Sequence, residues 1–153
     1  MIKSLILTNF RMHEYTELYF NDHEQLVLIA GKNGVGKSTI LEAIVYALYG
    51  ESRSGRRNLD RLIKKGSELE GMSVDLVFQV GTDTYRVVRR RDGRAITAVM
   101  YGNDIPLFES PGAVTEAVIR LLGLDSQGFR LSTIAQQKEL DGLASLKPSE
   151  KAA

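Results

Sequence analysis

Gly31-Lys32-Asn33-Gly34-Val35-Gly36-Lys37-Ser38 is the stretch on which the fold turns. It satisfies the pattern G-x-x-x-x-G-K-[ST], and its flanks suit the motif as well as its spacing does. Before it lies the apolar run Gln25-Leu26-Val27-Leu28-Ile29-Ala30, of strand length and suited to burial on both faces. After it, Ile40, Leu41, Ile44, Val45 and Leu48 recur at three and four residues, as on one face of a helix, with Gly50 as its stop. A glycine-rich turn arising by chance would lack both flanks. Gly34 and Gly36 permit the tight backbone curl that converges N–H groups on phosphate oxygens, and the following helix N-terminus adds partial positive charge. In this reading Lys37 reaches the β- and γ-phosphates as the catalytic cation. Ser38 supplies a hydroxyl to Mg²⁺, and Thr39 hydrogen-bonds the α-phosphate. The spacing therefore implies a nucleoside triphosphate, held with Mg²⁺.

Outward from this loop, residues 2–10 are rich in β-formers, and Thr16-Glu17-Leu18-Tyr19-Phe20 alternates before an Asn21-Asp22 turn. Residues 51–71 read as a polar, basic connection with a short helical piece near residues 59–63. Met72, Val74, Leu76, Phe78 and Val80 share one side of a strand. Short turns at Gly81-Thr82-Asp83 and Arg91-Asp92-Gly93 then predict an antiparallel meander continuing through residues 85–88 and 95–101. Ser110-Pro111 is a cap followed by proline at a first helical position. Val114, Ala117, Val118, Leu121 and Leu122 form the apolar stripe behind it, and Gly123 ends it. Lys147-Pro148-Ser149-Glu150 looks like the start of a further helix.

The 153 residues suffice for one domain with a sizeable core, and 43% hydrophobic with 25% charged residues is ordinary for a globular chain. The absence of cysteine excludes disulfides and cysteine–zinc sites. No apolar run approaches the roughly 20 residues of a membrane span, and no secretory leader is visible, so a cytoplasmic location is expected by elimination. A net charge of +1 does not mark an obligate nucleic-acid binder. Two basic clusters stand out: Arg53, Arg56, Arg57, Arg61, Lys64 and Lys65, and then Arg86, Arg89, Arg90, Arg91 and Arg94. Each reads as a solvated face or a phosphate-tracking surface. The two histidines, His13 and His23, read as surface residues.

A hydrolase of this class also needs a Walker B pair, four apolar residues ending in Asp-Glu, and no such run occurs. Leu121-Leu122-Gly123-Leu124-Asp125 comes nearest, but it sits at a helix end and lacks the second acid. The sequence thus carries half of an active site. The N-K-x-D motif by which GTPases read the base is missing, and nothing suggests a kinase lid.

Three segments together resemble one family: Leu7-Thr8-Asn9-Phe10-Arg11-Met12-His13, the P-loop continued through Thr39-Ile40-Leu41-Glu42-Ala43-Ile44, and Ile134-Ala135-Gln136-Gln137-Lys138-Glu139-Leu140-Asp141. They are similar to the N-terminal ATPase lobe of the SMC-like DNA-repair ATPases, the SbcC / Rad-fifty branch in particular, over essentially the whole chain. The resemblance implies an α/β P-loop NTPase of ABC/SMC type. Its parts would be a mixed sheet around the P-loop helix, an antiparallel meander, and residues 1–153 forming the N-terminal lobe up to the start of a coiled coil. Gln137 would ligate Mg²⁺ and sense the γ-phosphate as the Q-loop glutamine, with Gln136 the alternative if the register slips by one. Asn33 would approach the base or sugar, and Arg11 the phosphates or a DNA-facing loop. Lys138 stands where many relatives carry glycine, which leaves the Q-loop conformation open. The implied partners are a C-terminal lobe of the same protein, a second head engaged on ATP binding, an SbcD-like (Mre-eleven-type) nuclease and DNA, with no membrane. The location would be nucleoid-associated in a bacterium or nuclear in a eukaryote. The alternative within the same fold is a chromosome-tethering head of cohesin or condensin type.

Overall fold

The computed structural model describes residues 1–23, 29–32, 34, 36–52 and 55–133. The described residues fall into two units, Met1–Gly123 and a second that begins at Leu124. The first is built on a six-stranded sheet: β1 (Ile2–Phe10), β2 (His13–Tyr19), β3 (Met72–Val80), β4 (Asp83–Asp92), β5 (Ala95–Gly102) and β6 (Ile105–Glu109). Its order is β2-β1-β3-β4-β5-β6, and every ladder among the described residues is antiparallel. The meander read from the sequence is therefore part of a larger sheet that includes the first two strands. β6 went unread because it is short and carries Pro106, which an edge strand tolerates. Of the strand expected just before the P-loop, residues 25–28 lie outside the described residues, and Ile29 and Ala30 belong to no strand. The mixed character expected of the sheet rests on that segment.

One face of the sheet is apolar. Leu5, Leu76, Val87 and Met100 pair in register across four strands, and Leu7 and Val74 begin a second row. All six are buried. Against this face lie α1 (Lys37–Tyr49) and α2 (Pro111–Leu122). The α1 stripe is broader than its periodicity suggested, because every residue from Glu42 to Tyr49 is buried while Leu41 is 43% exposed. The α2 boundaries follow their caps. Ser110 Oγ accepts the Ala113 N–H at 3.2 Å, and Gly123 closes the helix with φ 68°. The helical piece expected near residue 60 is a 3-10 turn, Leu59–Leu62. In the second unit, α3 (Ser126–Thr133) begins at Asp125, whose carboxylate accepts the Gly128 N–H at 2.7 Å. The acid nearest to a Walker B position thus caps a helix.

The second row continues from Val74 to Arg89 and Ala98, so a guanidinium lies on the apolar face, 1% exposed. The last four carbonyls of a helix lack intrahelical donors, and α1 has no basic residue in its own last turn. Arg89 supplies what is missing. Its Nε donates to Ala47 O at 2.7 Å and Nη2 to Leu48 O at 3.1 Å, while Gly50 N–H donates to Tyr46 O at 2.8 Å. Thr115 Oγ1 accepts from Arg89 Nη2 at 2.9 Å and reaches Tyr49 O at 3.4 Å. Burial lowers the Arg89 pKa to about 10, which leaves it charged at neutral pH. A Cβ on Gly50 would stand 3.2 Å from Arg89 Nη1, so the helix stop is also the seat of the guanidinium. Replacing Arg89 by Met orphans these carbonyls and should cost about 3 kcal/mol in denaturant unfolding; Arg89→Lys, with one donor centre, should recover only part of it.

Candidate functional site: the P-loop and the basic cleft beside it

The P-loop enters α1 through two glycines in left-handed conformations, Gly34 at φ 87° and Gly36 at φ 91°. Gly36 occupies the N-cap, so no side chain there caps the helix, and the first turn holds no acid. The positive end of the helix is therefore left for an external anion. Lys37 Nζ folds back over the loop, donating to the carbonyls of Gly31 and, at 3.4 Å, Lys32. Ser38 is exposed and Thr39 half-buried. Phosphate oxygens suit this donor set of backbone N–H groups, one ammonium and two hydroxyls. Among the described residues no group of three acids or histidines could hold a metal. Of the described residues, the Ser38 hydroxyl beside the phosphate-binding loop suits a Mg²⁺, an ion that commonly completes its shell with phosphate oxygens and water.

Beside the loop opens a cleft of about 690 Å³, a size common for small-molecule sites, lined by Arg11, Met12, Ser38, Thr39, Glu42, Arg61, Ile63, Lys64 and Lys65. Four of these are basic and one acidic. The acid is neutralised in place: Arg11 Nε and Nη2 meet the two Glu42 oxygens at 3.0 and 2.8 Å. The backbone of Arg11 is constrained too, at φ 55°, with its N–H on Leu62 O at 2.6 Å. Lys64 N–H in turn donates to Asn9 O at 2.7 Å, and Phe10 bridges to Ile63. These bonds staple the β1–β2 turn to residues 62–64 and bring the distant Arg61, Ile63, Lys64 and Lys65 to the rim of the P-loop.

The structure thus gathers Arg11, Ser38 and Thr39 on one cleft, next to Gly36 and Lys37. Asn33 lies outside the described residues, as do Gln136 and Gln137. Sequence reasoning missed Glu42, whose signal was a carboxylate inside an apolar helical run. It also missed residues 61–65 as a site, since only the tertiary bridge to the β1–β2 turn places them. His13 and the second basic cluster require correction. His13 is half-buried, with Nε2 3.2 Å from Gly36 O, because the hairpin folds its first residue onto the loop. His23 is exposed, as expected. The cluster at 86–94 is no common face, because successive strand residues point to opposite sides. Arg89 is buried, Arg86 pairs with Asp75 at 2.9 Å, and Arg91 pairs with Asp60 at 2.5 Å.

A Cβ at Gly36 would meet His13 Nε2 at 2.6 Å and Met12 Sδ at 2.8 Å, on top of its left-handed backbone. Gly36→Ala should therefore weaken ATP binding by about tenfold or more in a fluorescent-nucleotide titration.

Residues 4–152 match the family described as AAA domain. Over 151 residues, 99% of the chain, the sequence is 35% identical to the DNA double-strand break repair Rad50 ATPase of Methanocaldococcus jannaschii. It is 34% identical over 153 aligned positions, 94% of the chain, to the SbcC component of the nuclease SbcCD of Deinococcus radiodurans. The chain spans only 14% and 16% of the length of those two relatives. A solved structure described under ATP-driven dimerization and DNA stimulated activation of SMC ATPases superposes with a TM-score of 0.67 at 20% identity. It covers 99% of this chain and 95% of its own, a likeness of fold. No helix among the described residues is long and apolar enough to cross a membrane. With a P-loop helix uncapped at its N-terminus and a family match over nearly its whole length, the chain belongs to the AAA domain family and has the fold of the N-terminal lobe of a P-loop ATPase.

Proposed function

We propose that residues 1–153 form the ATP- and Mg²⁺-binding N-terminal lobe of an SbcC-like DNA double-strand-break repair ATPase. The observation that carries this reading is the α1 N-terminus, uncapped behind two left-handed glycines and opening beside a basic cleft. The backbone N–H groups of the loop and Lys37 would hold the β- and γ-phosphates. Thr39 would bond the α-phosphate, and Ser38 would ligate Mg²⁺, with Gln137 as a further ligand from the Q-loop. Bound Mg²⁺ offsets the charge that develops on the transferring phosphoryl group. Arg11, fixed by Glu42, would present the outer edge of its guanidinium to the phosphates, and Lys64 and Lys65 would add screening charge along the cleft. Asn33 would approach the base or sugar.

The acids that polarise water would come from a C-terminal lobe of the same protein, reached across a coiled coil after residue 153. Two such heads would close on ATP, and the engaged pair would control DNA binding and an SbcD-like nuclease. A nucleoid or nuclear location would follow from that substrate. Similarity to a component of the nuclease SbcCD supports the nuclease partner. The tethering alternative rests on likeness of fold alone.

The 153-residue chain should bind ATP without sustained turnover. Adding the C-terminal lobe should create Mg²⁺-dependent hydrolysis that Lys37→Ala abolishes. Sustained turnover by residues 1–153 alone would sink the proposal. For the cleft, Arg11→Ala and Lys64→Ala should each weaken ATP binding by about three- to tenfold, with a smaller effect on AMP; equal losses for both nucleotides would separate these residues from the distal phosphates.

A further inference from the structure

His13 reaches the P-loop from the first position of β2. Its Nε2 lies 3.2 Å from the carbonyl oxygen of Gly36 and its Nδ1 lies 2.9 Å from Thr16 Oγ1. A carbonyl only accepts, so Nε2 carries a proton toward Gly36 O; in the neutral ring Nδ1 is then an acceptor, which the Thr16 hydroxyl can satisfy as donor while it holds the ring in place. The same Gly36 oxygen accepts the Thr39 N–H at 3.1 Å. It is therefore held from the sheet side and from the helix side together. The peptide unit is planar and trans, so its C=O and N–H point in opposite directions. Fixing Gly36 O toward His13 aims the Lys37 N–H the other way. That amide opens the first turn of α1, where N–H groups have no intrahelical acceptor.

We infer that His13 is a positioning residue for the nucleotide: it locks the Gly36–Lys37 peptide so that the Lys37 N–H faces the phosphates, and Thr16 locks His13. This rests on the nucleotide-binding reading above and deepens it. The fit is close: a Cβ at Gly36 would stand 2.6 Å from Nε2, so the imidazole abuts the loop itself. The effect belongs to the loop amide and not to any group on the γ-phosphate, so ATP and ADP should respond alike.

The test is a fluorescent-nucleotide titration of the 153-residue chain with ATP and with ADP, alongside thermal melts without nucleotide. The variants are His13→Ala, His13→Phe, His13→Gln and Thr16→Val, with Lys37→Ala as the reference. His13→Phe keeps the ring and removes the donor, whereas His13→Gln keeps an N–H at comparable reach. The expected result is an affinity loss of about five- to tenfold for Ala and Phe with both nucleotides. Gln should return to within about twofold of the parent, and Thr16→Val should fall between, all with unchanged melting temperatures. If Phe binds as the parent does, or if Gln fails as Ala does, His13 acts through packing and the inference is overturned. Unchanged affinity in every His13 variant, with binding lost in Lys37→Ala, overturns it while leaving nucleotide binding intact. No loss in Lys37→Ala removes the nucleotide-binding reading and this inference with it. Should the Ala variant fail to fold, Phe against Gln decides.

Discussion

A buried guanidinium holds this lobe together. Arg89 carries a full charge onto an otherwise apolar sheet face, a placement that is costly unless its donors find acceptors. Acceptors are there because a helix must end. The C-terminal carbonyls of α1 would themselves be orphaned against an apolar sheet, with the negative end of the helix dipole exposed to a low-dielectric surround. Each burial is tolerable only because of the other. Pro111 O and Thr115 bring the first turn of α2 into the same knot, so one side chain joins β4 to both helices.

The other anchors of α1 come from the β1–β2 turn. Glu42, in the second turn of the helix, is gripped by Arg11, and the carbonyl at its N-cap by His13. Asn9-Phe10-Arg11-Met12-His13 thereby acquires a physical account residue by residue. Asn9 takes φ 50° and donates to Gly71 O at 3.1 Å, and Phe10 is fully buried, with its ring 5.9 Å from that of Tyr46. Arg11, in the hairpin turn, and His13, the first residue of β2, then both reach the helix. The helix that follows the P-loop is thus pinned to neighbouring elements near both its ends.

What was legible in the sequence was what local backbone chemistry dictates. The loop glycines, the Ser110-Pro111 cap, the Gly123 stop and the alternation of β3 each settle their own neighbourhood within a few residues. Charge was read less well, because counting does not assign a face. The run from Arg86 to Arg91 looked like one cluster, yet the period of two that identified the strand also puts Val87, Arg89 and Arg91 on the core side together. Applied to the arginines, that rule would have marked Arg89 as buried. His13 and residues 61–65 offered no such signal in their spacing. They reach the P-loop through strand pairing and a bridge between segments some fifty residues apart, and no local pattern encodes that.

The proposed division between binding and turnover rests on where the charges of the described residues sit. Phosphate recognition needs donors and cations, and these come from one short stretch plus the cleft that faces it. Polarising water needs a carboxylate aimed at the terminal phosphate. Four acids of the described lobe are committed elsewhere: Glu42 to Arg11, Asp60 to Arg91, Asp75 to Arg86, and Asp125 to a helix cap. Redirecting any of them would undo an ion pair or cap seen here. Among the described residues the one carboxylate that lines the cleft is already held by Arg11, which is why the proposed reading draws the water-polarising acid from another surface.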